Sequence, residues 1–206
     1  MPAPPSPIYL ASSSPRRRDL LQQIGVRFDI LGFRGGERGM DADLDETREP
    51  DEPADHYVQR LALTKASAGV RRLFWRELPR KPVLAADTAI EIDGDVIGKP
   101  AGAADACAIL RRLSGRAHHV LTAVAVSDGE RTRYRLSKSA VRFRPLSEDD
   151  IRRYLATGEP MDKAGAYGIQ GRAATFIEEI RGSYSGIMGL PLFETAALLE
   201  VFACPL

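Results

Sequence analysis

The four positions Ile8-Tyr9-Leu10-Ala11 form an unbroken apolar run that stops at Ser12-Ser13-Ser14, ahead of Pro15-Arg16-Arg17-Arg18. This pattern predicts a short buried strand followed at once by a helix. Pro15 fits the first helical position, where a missing N–H has no partner to lose, and Ser14 is a good N-cap. Leu20, Leu21 and Ile24 give that helix its apolar side, and Gly25 closes it. Residues 26–31 alternate apolar and polar, predicting a strand, whereas residues 32–53 are rich in Gly, Asp, Glu and Arg and predict a long loop. A long helix follows from Pro53 to Phe74; its apolar face collects Val58, Leu61, Ala62 and Gly69 and also contains Lys65.

Val83-Leu84-Ala85-Ala86 predicts a small-residue buried strand ending at Asp87-Thr88, and Asp93-Gly94 between two β-type runs is the strongest hairpin signal in the chain. Residues 101–113 predict a helix closed by Ser114-Gly115, and Cys107 on it reads as a small buried apolar residue. His119 to Ser127 and Arg133 to Arg144 alternate like two antiparallel strands joined at Asp128-Gly129. Ser147 caps a helix that runs to Thr157 with Gly158 as terminator, and residues 162–171 form a Gly-rich bend. A strand from Thr175 to Ile180, a turn and a helix from Leu192 to Phe202, with Pro191 near its start, complete the pattern. The expected architecture over residues 1–206 is α/β with a mixed sheet and no internal repeat, in one domain or two closely packed lobes.

With 206 residues, 44% hydrophobic and 28% charged, the chain is long enough to bury a real core. A net charge of +1 gives no global attraction to nucleic acid or anionic lipid, so neither is an expected partner. Two cysteines make no disulfide framework, and no stretch is apolar and long enough to span a bilayer. The start Met1-Pro2-Ala3-Pro4-Pro5 lacks the basic-then-apolar pattern of a secretory signal, so a cytoplasmic location is the expectation.

Because the net charge is near zero, any phosphate recognition must come from local placement. The turn holding Ser12 and Ser14 leaves backbone N–H groups at a helix start with Arg16 and Arg17 beside them, an arrangement that attracts phosphate; an ordinary capped helix with solvated arginines accounts for the same residues. Asp87 at the end of a central strand stands where open α/β sheets bind ligands, although a turn aspartate has the same signature. Lys65 interrupts an apolar face, and Lys99 follows Val96-Ile97-Gly98. Asp43, Asp45 and Glu46 supply further carboxylates, and Asp87 with Glu46 suits Mg²⁺, which takes one or two carboxylates plus phosphate oxygens and water. Such acidic loops are also commonly just solvated. In Asp162-Lys-Ala-Gly-Ala-Tyr-Gly-Ile-Gln-Gly171, Gln170 can offer a donor and an acceptor to a uracil or thymine edge. Gly94 to Pro100 resembles a Walker loop only superficially, His118-His119 has no zinc-spaced partners, and no serine sits in a Gly-x-Ser-x-Gly elbow.

Taken together, Leu10-Ala-Ser-Ser-Ser-Pro-Arg-Arg17, Arg60-Leu-Ala-Leu-Thr-Lys-Ala66, Ala86-Asp-Thr88, Gly98-Lys-Pro100, Leu113-Ser-Gly115, the 162–171 segment and Gly189-Leu-Pro191 resemble the Maf family of nucleoside triphosphate pyrophosphatases. The resemblance implies an elongated mixed sheet flanked by helices, in two lobes with a central cleft, like that of the ITPases. It also implies hydrolysis of a nucleoside triphosphate between its α and β phosphates. By position, Asp87 matches the family's general base, Glu46, Lys65 and Lys99 its acidic and basic site residues, and Arg16, Thr88 and Gln170 the positions that set base preference in the dTTP/UTP branch. A divalent metal, Mg²⁺ or Mn²⁺, on Asp87 and Glu46 and a homodimer are further family-based expectations. The segment from Gly32 to Gly39 is richer in Arg and Gly than the family pattern, which leaves Asp45 and Glu46 as alternative metal ligands.

The expected chemistry is metal-assisted attack of water on the α-phosphate, with Arg16, Arg17, Lys65, Lys99 and the helix start gripping the triphosphate and Asp87 serving as base or metal ligand. A nucleotide-binding regulator of cell division without catalysis is the alternative.

Overall fold

The computed structural model describes residues 8–32 and 44–204. β1 (Ile8–Leu10), α1 (Pro15–Gln23) and β2 (Phe28–Ile30) open the chain; α2 (Ala54–Trp75), β3 (Val83–Ile92), β4 (Asp95–Ile97) and α3 (Ala103–Leu113) follow. The second half holds β5 (Ala117–Ser127), β6 (Thr132–Phe143), α4 (Glu148–Leu155), three 3₁₀ turns, β7 (Ile177–Arg181), α5 (Tyr184–Met188) and α6 (Leu192–Val201). One seven-stranded mixed sheet runs β2-β1-β3-β5-β6-β7, with β4 also on β3. β1 is parallel to β2 and β3, each reached through a helix, and the remaining pairs are antiparallel. Among the described residues, no helix is long and apolar enough to cross a membrane.

Strand alternation sorts the core into three clusters along the sheet. On one face, Val83, Ala85 and Ala89 of β3 pack with Val58, Ala62 and Ala66 of α2. On the other, Leu84 and Ala86 pack with Leu20 and Leu21 of α1 and Leu198 and Leu199 of α6. Farther along β3, Ile90 and Ile92 join α3, α4, Phe143, Tyr154 and Tyr167. Asp87 therefore shares the α2 face, and Thr88 the opposite one.

Local chemistry explains most boundaries. Asp93 and Gly94 both have positive φ, 58° and 83°, as a type I′ hairpin turn requires. Ser147 and Asp150 close a reciprocal capping box on α4, and Gly158 beyond it is left-handed.

Several expectations need correction. The strand beginning at Val83 does not stop at Asp87-Thr88: it continues to Ile92, because β5 pairs with it from Val83 to Glu91 and keeps its backbone satisfied. Ser14 occupies the N-cap position of α1 with extended geometry, but its side chain makes no cap bond; instead the Ser14 N–H donates to Ser12 Oγ at 3.2 Å. Thr175 lies in a 3₁₀ turn (Arg172–Phe176) ahead of β7. The expected turn before the last helix contains α5, capped by Ser183. Cys107 is only half-buried, at the margin of the α3 core, and Ile24 is likewise half-buried. Asp43 lies outside the described residues.

Candidate functional site

β3 is paired without a break from Val83 to Glu91 on one edge, by β5, but not on the other. β1 ends opposite Leu84 and β4, running antiparallel, ends opposite Ile90, so among the described residues no strand covers the stretch between them. Asp87 is the middle residue of that uncovered stretch. The Ala11 N–H still donates to Leu84 O at 2.8 Å, and the chain then leaves the sheet as the serine turn. On the far side of the gap, β4 delivers Gly98 and Lys99. The Gly165 N–H donates to Gly98 O at 3.0 Å, fastening the Gly-rich segment to the same rim.

On the α2 face, Lys65 Nζ lies 2.6 Å from Asp87 Oδ1 and 2.7 Å from Glu46 Oε1. An apolar helix face tolerates this lysine because two carboxylates meet its charge. The Tyr57 hydroxyl donates to the Glu46 carbonyl at 2.9 Å, tying the acidic loop to α2. Burial, reinforced by Asp87 and Glu46, pushes the Tyr57 phenol up to about 12, so it remains a donor. Arg60 grips Glu52 through two bonds of 2.7 Å and steadies the same loop lower down.

On the opposite face, Arg17 reaches across from α1. Its Nε donates to Gly189 O at 2.8 Å, one terminal nitrogen to Ser12 Oγ at 3.2 Å and the other to Thr88 Oγ1 at 3.4 Å. A guanidinium has five N–H groups, so each terminal nitrogen retains one for a ligand. Burial lowers the Arg17 pKa below the usual guanidinium value, and the nearby negative charges of Asp87 and Glu46 oppose that shift. Ser12 Oγ is buried and accepts twice, from Ser14 and Arg17, which leaves its own proton to donate.

Six of the residues singled out in the sequence therefore meet at the gap: Ser12, Arg17, Thr88, Asp87, Lys65 and Glu46. Ser14 stands beside them on the turn. Arg16 is half-buried; against the upward pull of burial, Lys163 and then the charge of Arg16 hold the carboxyl of Asp162 on the far rim below the usual carboxylate range. Lys99 and Gln170 are exposed, and among the described residues no hydrogen bond or ion pair joins either to the six. Asp45 accepts from the Thr47 N–H at 2.8 Å, outside the Lys65 cluster, so Glu46 is the acidic-loop residue at the centre.

A family model described as Maf-like protein matches residues 7–202. The chain belongs to the Maf-like family. A dTTP/UTP pyrophosphatase of Aromatoleum aromaticum is 72% identical over 199 residues, covering 97% of each chain. Proteins of the same name from Dechloromonas aromatica and Burkholderia pseudomallei are 54% and 58% identical, each over 94% of this chain and 96% and 92% of their own. The solved Ham1 protein of Staphylococcus aureus aligns with 67% of this chain and 72% of its own at 17% identity and a TM-score of 0.45.

The donor set of this Maf-like chain fits a hard divalent cation that arrives with phosphate. Among the described residues, no group of three or more His, Cys, Asp or Glu forms a cage. Glu46 and Asp87 each lend one oxygen to Lys65 and retain the other, which matches the one or two carboxylates Mg²⁺ takes when phosphate and water complete its shell.

Sequence reasoning assigned no role to Thr122, Gly186 and Gly189, which line the Arg17 side. A hydroxyl inside the apolar run Val120-Leu-Thr-Ala-Val124 was the available signal for Thr122, since a buried hydroxyl needs a partner.

Proposed function

We propose that this chain hydrolyses dTTP and UTP between the α and β phosphates, releasing pyrophosphate and the nucleoside monophosphate. The observation that carries the reading is the pairing, across one uncovered stretch of β3, of a carboxylate–lysine cluster with an arginine that has two N–H groups to spare. The names of the relatives at 54–72% identity point to the same reaction and the same substrates.

In this reading the spare N–H groups of Arg17, the Ser12 hydroxyl and the start of α1 hold the triphosphate by charge-assisted hydrogen bonds. Lys65 keeps Asp87 and Glu46 together despite their mutual repulsion, and Lys99 on the far rim adds positive charge toward the leaving pyrophosphate. Water attacks the α-phosphorus as the bond to the bridging oxygen breaks, and Asp87 Oδ2 serves as one of two things, the base that takes the water's proton or a ligand of the metal. Mg²⁺ or Mn²⁺ held by the second oxygens of Glu46 and Asp87 would polarise the α-phosphate and offset charge on the leaving group. Tight metal ligation and strong basicity exclude one another at one carboxylate. Mn²⁺ affinity of Asp87→Asn separates them: retained binding with lost turnover marks a base, and lost binding marks a ligand.

Gln170 meets the pyrimidine edge, with Arg16 and Thr88 on the approach to it, and the whole chain acts as one unit around this gap. The test is pyrophosphate release over a panel of nucleoside triphosphates, with and without Mg²⁺ or Mn²⁺. Metal-dependent release favouring dTTP and UTP is expected. Saturable nucleotide binding without pyrophosphate would overturn this reading in favour of a non-catalytic regulator.

A further inference from the structure

Thr122 sits in the middle of β5, directly opposite Thr88 in the sheet register, and is 1% exposed. Its Oγ1 donates to the Gly186 carbonyl at 2.8 Å and lies 2.9 Å from Thr88 Oγ1. A threonine hydroxyl has one proton, and a carbonyl can only accept. Thr122 has therefore committed its proton to Gly186, and the short contact between the two threonines requires Thr88 to be the donor. That leaves Thr88 Oγ1 with lone pairs only for its remaining neighbour, the Arg17 guanidinium at 3.4 Å, the loosest link in the series. The polarity runs one way: Arg17 to Thr88, Thr88 to Thr122, Thr122 to Gly186. Gly186 and Gly189, the two carbonyl acceptors at the ends of this chain and of the Arg17 Nε bond, both belong to the α5 turn.

We propose that Thr122 is a positioning residue for the triphosphate: by fixing Thr88 as an acceptor it holds the Arg17 guanidinium at the gap in β3. This deepens the pyrophosphatase reading and rests on it. A consequence concerns Thr88 itself. Its only proton is committed to Thr122, so it has none to give a nucleotide base, and its influence on substrate choice runs through Arg17.

Thr122→Val keeps the shape and removes both bonds, and Thr122→Ser keeps the hydroxyl. With dTTP and Mg²⁺, Thr122→Val is expected to raise KM roughly tenfold, the worth of one positioned hydrogen bond, with kcat changed much less; Thr122→Ser restores most of it. A merely structural role would lower active protein, hence apparent kcat, and leave KM alone. Thr88→Val breaks the same series nearer the solvent and serves if Thr122→Val does not fold; it should raise KM by a similar factor. Thr88→Val combined with Thr122→Val should be no worse in KM than Thr88→Val alone. Wild-type KM in both single variants, or losses that multiply in the double, overturns the proposal. If the wild type releases no pyrophosphate from any nucleotide, the functional reading fails, and dTTP affinity of the same variants by calorimetry still decides whether Thr122 positions Arg17.

Discussion

Lys65 stands between Asp87 and Glu46 at 2.6 and 2.7 Å, so a single ammonium joins the middle of β3 to the acidic loop. The Lys65 and Asp87 side chains retain only 15% and 12% of their exposure, so solvent screens the pair little. Removing Lys65 leaves two carboxylates facing each other with no cation between them. Lys65→Met should abolish pyrophosphate release and reduce unfolding stability by on the order of 2 kcal/mol, below the range for breaking a fully buried pair. Adding Asp87→Asn should return part of that stability and none of the activity. Urea unfolding of the two single variants and the double checks this. Additive stability losses would show that the pair is not coupled.

Gly189 has φ of +115°, which L side chains rarely adopt, and its carbonyl accepts from Arg17 Nε. A Cβ there would stand 3.6 Å from Thr88 Oγ1, an ordinary contact, so the obstacle to substitution is backbone strain and not a clash. Gly189→Ala should lower stability by about 1–3 kcal/mol and raise the KM for dTTP as the carbonyl turns away from Arg17. An unchanged melting temperature together with an unchanged KM would refute both halves.

His118 is 2% exposed, packed edge-on against Phe143 and Tyr167, with Nε2 2.8 Å from the Tyr167 hydroxyl and no hydrogen-bond partner for Nδ1 among the described residues. Burial, with a smaller push from neighbouring His119, lowers its pKa from 6.5 to about 4. The folded state thus holds the neutral ring while the unfolded chain takes up a proton below pH 6.5. The stability this contributes is complete above 6.5 and drains away as pH falls toward 4, by roughly 3 kcal/mol in all. Carboxylates titrate in the same window, so the comparison is with His118→Gln. That variant should show a flatter decline of unfolding free energy between pH 6.5 and 4, and identical slopes would exclude His118 as the source.

How much of this was legible in the sequence depended on whether the signal was local. Pro15, Gly25, Asp93-Gly94 and the Ser147 capping box marked their boundaries because a turn or cap is decided by neighbours in the chain. Asp87 looked like a strand end because a charge follows four apolar residues. Only pairing with β5, more than thirty residues away, shows that the strand continues past it. Lys65 is recognisable as a cation on an apolar face and Arg17 as a cation beside a helix start, yet their partners, Glu46 and Gly189, are set by tertiary packing. Ser14 looked like the cap because its residue type suits the role, but Ser12 Oγ accepts the bond. Thr122 gives no local signal of its role, because a hydroxyl in a β-branched run costs nothing by local propensity.

The segment carrying Gln170 is held from behind by Glu159. One Glu159 oxygen accepts from the Tyr154 hydroxyl at 2.9 Å and the other from the Arg172 N–H at 3.0 Å, while the Gly168 N–H donates to Tyr154 at 3.3 Å. A Cβ on Gly171 would fall 2.1 Å from Glu159 Oε1. Gly171→Ala therefore has to displace either the carboxylate or the loop, and Glu159→Ala removes the anchor outright. Each should weaken discrimination between dTTP and purine triphosphates, the property assigned to Gln170, more than it changes turnover of the best substrate. The double variant distinguishes a latch from two unrelated defects. With the carboxylate gone, the three atoms nearest the added methyl are gone too, so Glu159→Ala with Gly171→Ala should match Glu159→Ala alone in both selectivity and melting temperature. A double variant clearly worse than either single one would mean that Gly171 is needed for its own backbone, and that Glu159 does not govern where Gln170 sits.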